Sequence, residues 1–310
     1  MEEQFDVIVL GGGPAGLTAA IYLGRARVKT LVLDTGTVGG QTVLSFSVAN
    51  YPGVEETSGR DISQTMLRQA RQFGAEVKAY AKIKAVELAG ENKVVELQDG
   101  SRFVARALIV ATGGVPRKLG LESEARLAGR GISYCATCDG DFFTGKPIVV
   151  IGGGNSALEE ALALTKYASR VTIVHEFDHF QAQPWIVEEV RAHPRIELVM
   201  EQDILDFVGE ENLQEVVVAH KQTKEITRIE ADGCFIFIGY VPNSAAFSAE
   251  LQLNERGEII TDDNMATSLP GVFAAGDVRQ KRYRQITTAV ADGTVAALGA
   301  TAYLEERKAA

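Results

Sequence analysis

Positive charge is scarce in this chain of 310 residues: 31 lysines and arginines stand against 41 aspartates and glutamates, for a formal net charge of -10. That balance argues against nucleic acid or an anionic membrane surface as the main partner. Long apolar runs are missing too. No stretch approaches the roughly 18 uncharged apolar residues that a membrane span needs. The acidic opening Glu2-Glu3-Gln4-Phe5-Asp6 lacks the basic and apolar regions of a secretory signal. Cysteine is sparse, with three in the chain. So few fit a reducing compartment, the cytoplasm by default, where a Cys-x-x-Cys pair is a catalyst more often than a staple. No metal site is expected: His175 and His179 lie four apart, but no acidic or thiol partner follows at ligand spacing. The proportions that remain, 46% hydrophobic and 23% charged, are those of a folded globular protein. The length suffices for about two domains, each burying a core.

What is present is organised around Cys135-Ala136-Thr137-Cys138-Asp139. The spacing lets two sulfurs close a small-loop disulfide, and a first-turn helical position lowers the pKa of at least one thiol. Half a zinc site and an incidental core pair are the competing readings. Zinc wants four ligands, and the remaining cysteine, Cys234, has no partner at the required spacing. Cys234 falls in an apolar strand, Cys234-Phe-Ile-Phe-Ile, and reads as a small buried hydrophobe.

Two glycine loops flank the dithiol. Phe5 to Leu10 is an apolar strand, Gly11-Gly-Gly13-Pro14-Ala15-Gly16 a turn, and Leu17 to Gly24 a helix. This is the strand, turn, helix context that a dinucleotide fingerprint requires. A second strand, Lys29 to Leu33, ends at Asp34, placed 23 positions after Gly11 to hold ribose hydroxyls. The pattern repeats with strand Pro147 to Ile151, turn Gly152-Gly-Gly154-Asn155-Ser156-Ala157, helix Ala157 to Tyr167 and strand Val171 to Val174. Alanine is accepted at the last loop position. Between the loops, Ile62 to Phe73 has helical spacing, Glu76 to Leu97 reads as a strand meander, and Ala107 to Val110 is a buried strand. Phe180 and Trp185 read either as a docking surface or, the favoured reading, as packing beneath a helix that runs to Val190. Near the carboxyl terminus, a strand ends in Gly276-Asp277; Asp277 either meets a sugar or ribityl hydroxyl or caps the helix that follows. An alanine-rich helix then runs to about Leu304. The expected fold is α/β: two Rossmann-like three-layer nucleotide-binding domains, the second (115–245) inserted into the first (1–114 and 246–310).

In this order, the Gly11 loop, Gly39-Gly40-Gln41, Asn50-Tyr-Pro-Gly, Ala111-Thr112-Gly113, Cys135 to Asp139, the Gly152 loop, Gly239-Tyr-Val-Pro-Asn243 and Gly276-Asp277 resemble the low-molecular-weight thioredoxin reductases over essentially the whole chain. The resemblance implies FAD in the first domain, a pyridine nucleotide in the second, and a homodimer. It places FAD against Gly11, Gly13, Pro14, Ala15, Gly16, Asp34, Gly40, Gln41, Asn50, Thr112, Gly113, Gly276, Asp277, Arg284, Gln285 and Ile286. It places the nicotinamide nucleotide against Gly152, Gly154, Asn155, Ser156, Ala157, His175, Glu176 and Gly239. It also implies that Cys138 faces the flavin, that Cys135 attacks the disulfide of thioredoxin or a thioredoxin- or glutaredoxin-like partner, and that Asp139 is the general acid and base. A rotation of the inserted domain about hinges near Gly113-Gly114 and Gly239 to Asn243 completes the picture.

One departure matters. Members that use NADPH carry His-Arg-Arg after the second strand and another arginine further on; here the run is His175-Glu176-Phe177-Asp178-His179-Phe180-Gln181. A 2′-phosphate would face Glu176 without a counter-ion, whereas a carboxylate suits the free 2′-hydroxyl of NADH. Glu176 follows Gly152 by 24 positions and His175 holds the slot equivalent to Asp34. That one-residue offset can point the side chain elsewhere and leave Glu176 a solvated charge; the missing arginines nevertheless lead to the expectation of NADH in preference to NADPH. The alternative is a related flavoprotein that takes electrons from NADPH or ferredoxin, or that serves as a redox partner or sensor; the intact Gly152 loop argues for a nucleotide.

Overall fold

The computed structural model describes residues 2–45 and 48–309. The chain forms two compact units, Met1–Val115 with Val241–Ala310, and Pro116–Tyr240.

In the discontinuous unit, Glu2–Leu10 is the central strand of a seven-stranded sheet. Thr30–Leu33 and Arg102–Val110 flank it in parallel register, and Val272–Ala274 adds to the upper half of Arg102–Val110, again parallel. Successive residues of the central strand point to opposite faces, as the period of two requires. Val7 and Val9 pack with Leu17, Ala20, Met66 and Ala297 on the helical side; Ile8 and Leu10 pack with Leu88, Val95, Phe103 and Phe247 on the other. Both faces are thus buried, which explains a continuous apolar run rather than an alternating one. Each such side chain contributes about 1.5–3 kcal/mol relative to exposure.

The expected meander over Glu76 to Leu97 is only partly formed. Ile83–Glu87, Lys93–Leu97 and the start of Arg102–Val110 are antiparallel neighbours, but Glu76–Lys78 pairs parallel with Leu31 to Leu33. Three residues carry no readable alternation. Their pairing follows from the helix Gly59–Gln72 before them, since a strand that returns after a crossover helix runs parallel. The terminal helix continues to Ala309, past the expected end near Leu304.

The continuous unit repeats the plan. Its parallel sheet has the order Ile196–Val199, Arg170–Val174, Pro147–Ile151, Gly233–Ile236, Ile132–Ser133. Ile148 and Val150 face the helices with Leu158 and Ala161; Val149 and Ile151 face a three-stranded antiparallel layer through Phe207, Val216 and Val218. Each unit is thus α/β, with helices packed on one face of its parallel strands; the first sheet also carries the antiparallel strands Ile83–Glu87 and Lys93–Leu97 at its edge. The two connecting stretches, Gly114–Pro116 and Tyr240–Pro242, pair with each other as a two-stranded sheet.

Candidate redox and nucleotide sites

In the discontinuous unit, Gly11, Asp34, Thr112 and Gly276 all follow the carboxyl ends of parallel strands, the edge at which such sheets bind ligands. Gly11 turns with φ of +106°, and a Cβ there would lie 2.2 Å from the carbonyl oxygen of Ala111, so only glycine fits. The helix Pro14–Arg25 starts with proline at its first turn and no side-chain cap, leaving its leading N–H groups for a phosphate. Asp34 accepts from the Gly12 N–H at 2.6 Å and the Gly36 N–H at 2.7 Å, which aims its carboxylate beside the loop. Gly39 donates to the Gly12 carbonyl at 2.8 Å, and this brings Gly40 against Gly13. Gln41 and Asn50 are exposed. Thr112 and Asn243 exchange two hydrogen bonds, of 2.7 and 2.9 Å.

The turn at Gly276 sits directly against Ala15. Asp277 is largely buried, and burial raises its pKa while Lys281 and Arg284 pull it back. Its Oδ1 is buried without a hydrogen-bonding partner. An unmet buried acceptor costs about 1–3 kcal/mol, and a ribityl or ribose hydroxyl at this spot would relieve it; the residues fit a flavin nucleotide. Gln285 uses its side-chain amide on the Arg284 carbonyl at 2.9 Å, and Arg284 pairs with the buried Glu258. Ile286 opens the terminal helix.

In the continuous unit, helix Asn155–Leu164 again begins without a side-chain cap, at Gly154. Ala157 is fully buried against the sheet and Ser156 is exposed. The loop after the second strand folds back on this turn: Gln181 donates to the Gly153 carbonyl at 2.8 Å, and Gln183 to the Asn155 side chain at 2.8 Å. His175 occupies the same place here that Asp34 occupies in the first loop. Its ring covers Gly153 so closely that a Cβ would meet it at 2.4 Å. Burial lowers its pKa, so the ring is neutral at pH 7 and offers a phosphate no cation. Glu176 is exposed and pairs with Lys221 at 3.1 Å. Gly239 turns at φ of +121°, and its carbonyl accepts from the Arg117 N–H at 2.9 Å. Phe180 stacks on His175 as packing, but Trp185 is 54% exposed with its N–H on Gln183, because it lies on the outward face of the short helix Pro184–Ala192.

Cys135 and Cys138 are joined as a disulfide across the one-turn helix Ala136–Asp139. The Cys138 N–H donates to the Cys135 sulfur at 3.2 Å. On reduction that donor would favour thiolate at Cys135 over Cys138. Asp139 accepts from the Ser133 hydroxyl at 2.6 Å, and the same hydroxyl accepts from the Cys135 N–H at 3.1 Å. Burial raises the Asp139 pKa most, Ser133 opposes it, and Asp141 adds to the rise. The carboxyl thus holds a proton at higher pH than an ordinary aspartate. No group of three or more potential metal ligands occurs among the described residues.

Residues 5–293 match the family described as pyridine nucleotide-disulphide oxidoreductase. The chain belongs to that family. Among its relatives, thioredoxin reductase of Peptoclostridium acidaminophilum is 43% identical over 98% of both chains. A Clostridium pasteurianum protein described as the 34.2 kDa protein in rubredoxin operon is 45% identical, also over 98% of both. The solved thioredoxin reductase of Streptococcus pyogenes superposes with a TM-score of 0.93 at 37% identity, covering 98% of this chain and 99% of that one. The resemblance to low-molecular-weight thioredoxin reductases is thereby borne out.

Within this oxidoreductase three kinds of residue escape a reading of motifs. Asp292, buried in the terminal helix, holds the Gly276 N–H at 3.1 Å and Lys281 at 2.7 Å. Its neighbour Gly293 packs on the Ala15 carbonyl. A glycine inside a helix costs about 1 kcal/mol against alanine, and that cost was the available signal. Ser133 gave none beyond lying two residues before Cys135. Lys221 lies in a hairpin turn remote in sequence from the nucleotide loop. Cys234 is fully buried, and burial pushes its thiol pKa up. Maleimide labelling of the reduced native protein should therefore add two adducts by mass, with the third appearing only after denaturation; a third adduct at comparable rate would contradict this.

Proposed function

We propose that this chain is a flavoprotein disulfide reductase that passes electrons from NADH through FAD and the Cys135–Cys138 pair to thioredoxin or a thioredoxin- or glutaredoxin-like protein. The observation that carries the reading is the closed dithiol with Asp139 held beside it, in a unit that also owns an intact nucleotide loop. FAD, when bound, would take the hydride of the dihydronicotinamide and supply two electrons to the disulfide. The chain's own part is position and proton supply. Asp139 protonates the departing Cys135 thiolate as the disulfide opens and, as general base, takes that proton back when Cys135 turns to the partner. Cys135, stabilised as thiolate by the Cys138 N–H, attacks a partner sulfur and forms a mixed disulfide. Cys138 then attacks Cys135, releasing the partner as a dithiol and restoring the starting bond.

Alternation between these tasks requires the dithiol unit to rotate, with Gly113-Gly114 and Gly239 to Asn243 as hinges. A cytoplasmic homodimer completes the reading. Asp139→Asn should slow disulfide opening by about 10²-fold or more, the usual scale of general acid catalysis. The wild-type rate should fall as pH rises through the elevated Asp139 pKa, because the proton is then absent; the asparagine variant should lose that limb. A variant that keeps both rate and pH profile would remove Asp139 from the mechanism.

Anaerobic stopped-flow absorbance tests the whole proposal. Oxidised flavin should bleach rapidly on mixing with NADH and slowly with NADPH. Failure with both nucleotides and bleaching by reduced ferredoxin would transfer the role of donor.

A further inference from the structure

Lys221 stands in the turn between Glu215–His220 and Ile226–Glu230, a hairpin outside both halves of the nucleotide motif. The fold nevertheless delivers it to the end of the second motif strand. Its N–H donates to the Glu201 carbonyl at 2.7 Å, and the Glu201 N–H donates to the Phe177 carbonyl at 3.1 Å. Glu201 itself sits at φ of +57°, and its side chain accepts from Gln222 of the same turn at 2.8 Å. These links set the turn beside the loop that follows Val174. The Lys221 ammonium then lies 3.1 Å from Glu176, 3.6 Å from Asp203 and 5.2 Å from the centre of the Phe177 ring.

We propose that Lys221 and Glu176 together set cofactor choice: the carboxylate presents itself to a free ribose diol while holding the ammonium out of reach of a 2′-phosphate. This rests on the nicotinamide reading of the Gly152 loop and adds a residue that the missing arginines do not predict. Two anions share one cation, so the cluster around Lys221 is net negative, which repels a phosphate and leaves an acceptor for hydroxyls. Remove the Glu176 charge and the balance inverts. The ammonium then keeps Asp203, at the longer distance, and the Phe177 ring, and turns to an incoming phosphate. His175 cannot replace it, being neutral beneath Gly153, and His179 is engaged by Asp178 at 2.6 Å.

The test is calorimetric binding of 5′-AMP and 2′,5′-ADP to the oxidised flavoprotein, carried out on the wild type, Glu176→Gln, Lys221→Met and the double variant. Far-ultraviolet dichroism and flavin absorbance would confirm that each is folded. The wild type should prefer 5′-AMP. Glu176→Gln should bind 2′,5′-ADP about tenfold or more tightly than the wild type, the size of one charge-assisted contact, and the gain should shrink as salt rises. The double variant should lose the gain, and Glu176→Gln with Lys221→Arg should keep it. If the double variant binds 2′,5′-ADP as well as Glu176→Gln does, or if Glu176→Gln shows no gain, Lys221 is not the phosphate's cation and the proposal falls. Normal wild-type binding of 5′-AMP in that case leaves the nucleotide reading intact. Absence of binding to either fragment, with no bleaching by NADH, sinks both together.

Discussion

Cys138→Ser and Cys135→Ser should each abolish reduction of a protein disulfide while flavin bleaching by NADH persists. The loss should be on the order of 10⁴-fold or more, the range seen when an acting nucleophile is removed. The two variants should differ in a second way. Cys138→Ser keeps Cys135, whose attack on the partner yields a mixed disulfide that no internal thiol can resolve. Non-reducing electrophoresis should show that covalent adduct with Cys138→Ser and none with Cys135→Ser. The N–H bond from residue 138 to the Cys135 sulfur comes from the backbone and survives the substitution. An adduct formed only by Cys135→Ser would reverse the two roles, and loss of flavin from either variant would count against the assignment altogether.

The second large effect concerns the nucleotide. Introducing arginine at Glu176, Phe177 and Gln181 should move the ratio of kcat/KM for NADPH over NADH upward by about 10²–10³-fold. Each charge-assisted phosphate contact is worth about 1.5–3 kcal/mol, discounted because neighbouring terms do not add. The backbone of this segment should hold through the change, since Gln181 is pinned by its own N–H on Gly153 and not by its side chain. Steady-state kinetics with both nucleotides would measure the ratio. An unchanged ratio would mean that this loop does not face the adenosine ribose, and the proposed preference for NADH would lose its basis.

The parts of the site legible in sequence are those in which structure is local. Each glycine loop, with its strand before and helix after, occupies about twenty consecutive residues, and the dithiol is a single turn. Asp34 was legible because its distance from Gly11 is set by one helix and one strand. The equivalent slot at His175 was identified by the same count, but its burial under Gly153 was not, because it depends on Phe180 stacking from the other side. Lys221, Asp292 and Ser133 share a different difficulty. Their side chains meet partners that the fold brings near, and an isolated lysine, aspartate or serine resembles any other surface polar residue until those partners arrive. The edge strand Glu76–Lys78 failed for brevity; three residues take their direction from the helix before them and from the neighbour they join.

The pairing of Val272–Ala274 with Leu108–Val110 has a consequence for biosynthesis. These strands are 164 residues apart in the chain, and everything between Pro116 and Tyr240 belongs to the other unit. During synthesis the inserted unit can complete its sheet and close its dithiol turn as soon as Tyr240 has emerged, whereas the unit that begins at the amino terminus must wait for the last seventy or so residues. Until then the upper edge of Arg102–Val110 has no strand to cover it, and Asp277 and the terminal helix have yet to reach the Gly11 loop. The later, long-range closure is the slow step expected of such topology. The proposed flavin cradle is therefore expected to form last, and the nascent chain to acquire its dithiol before the site proposed to reduce it.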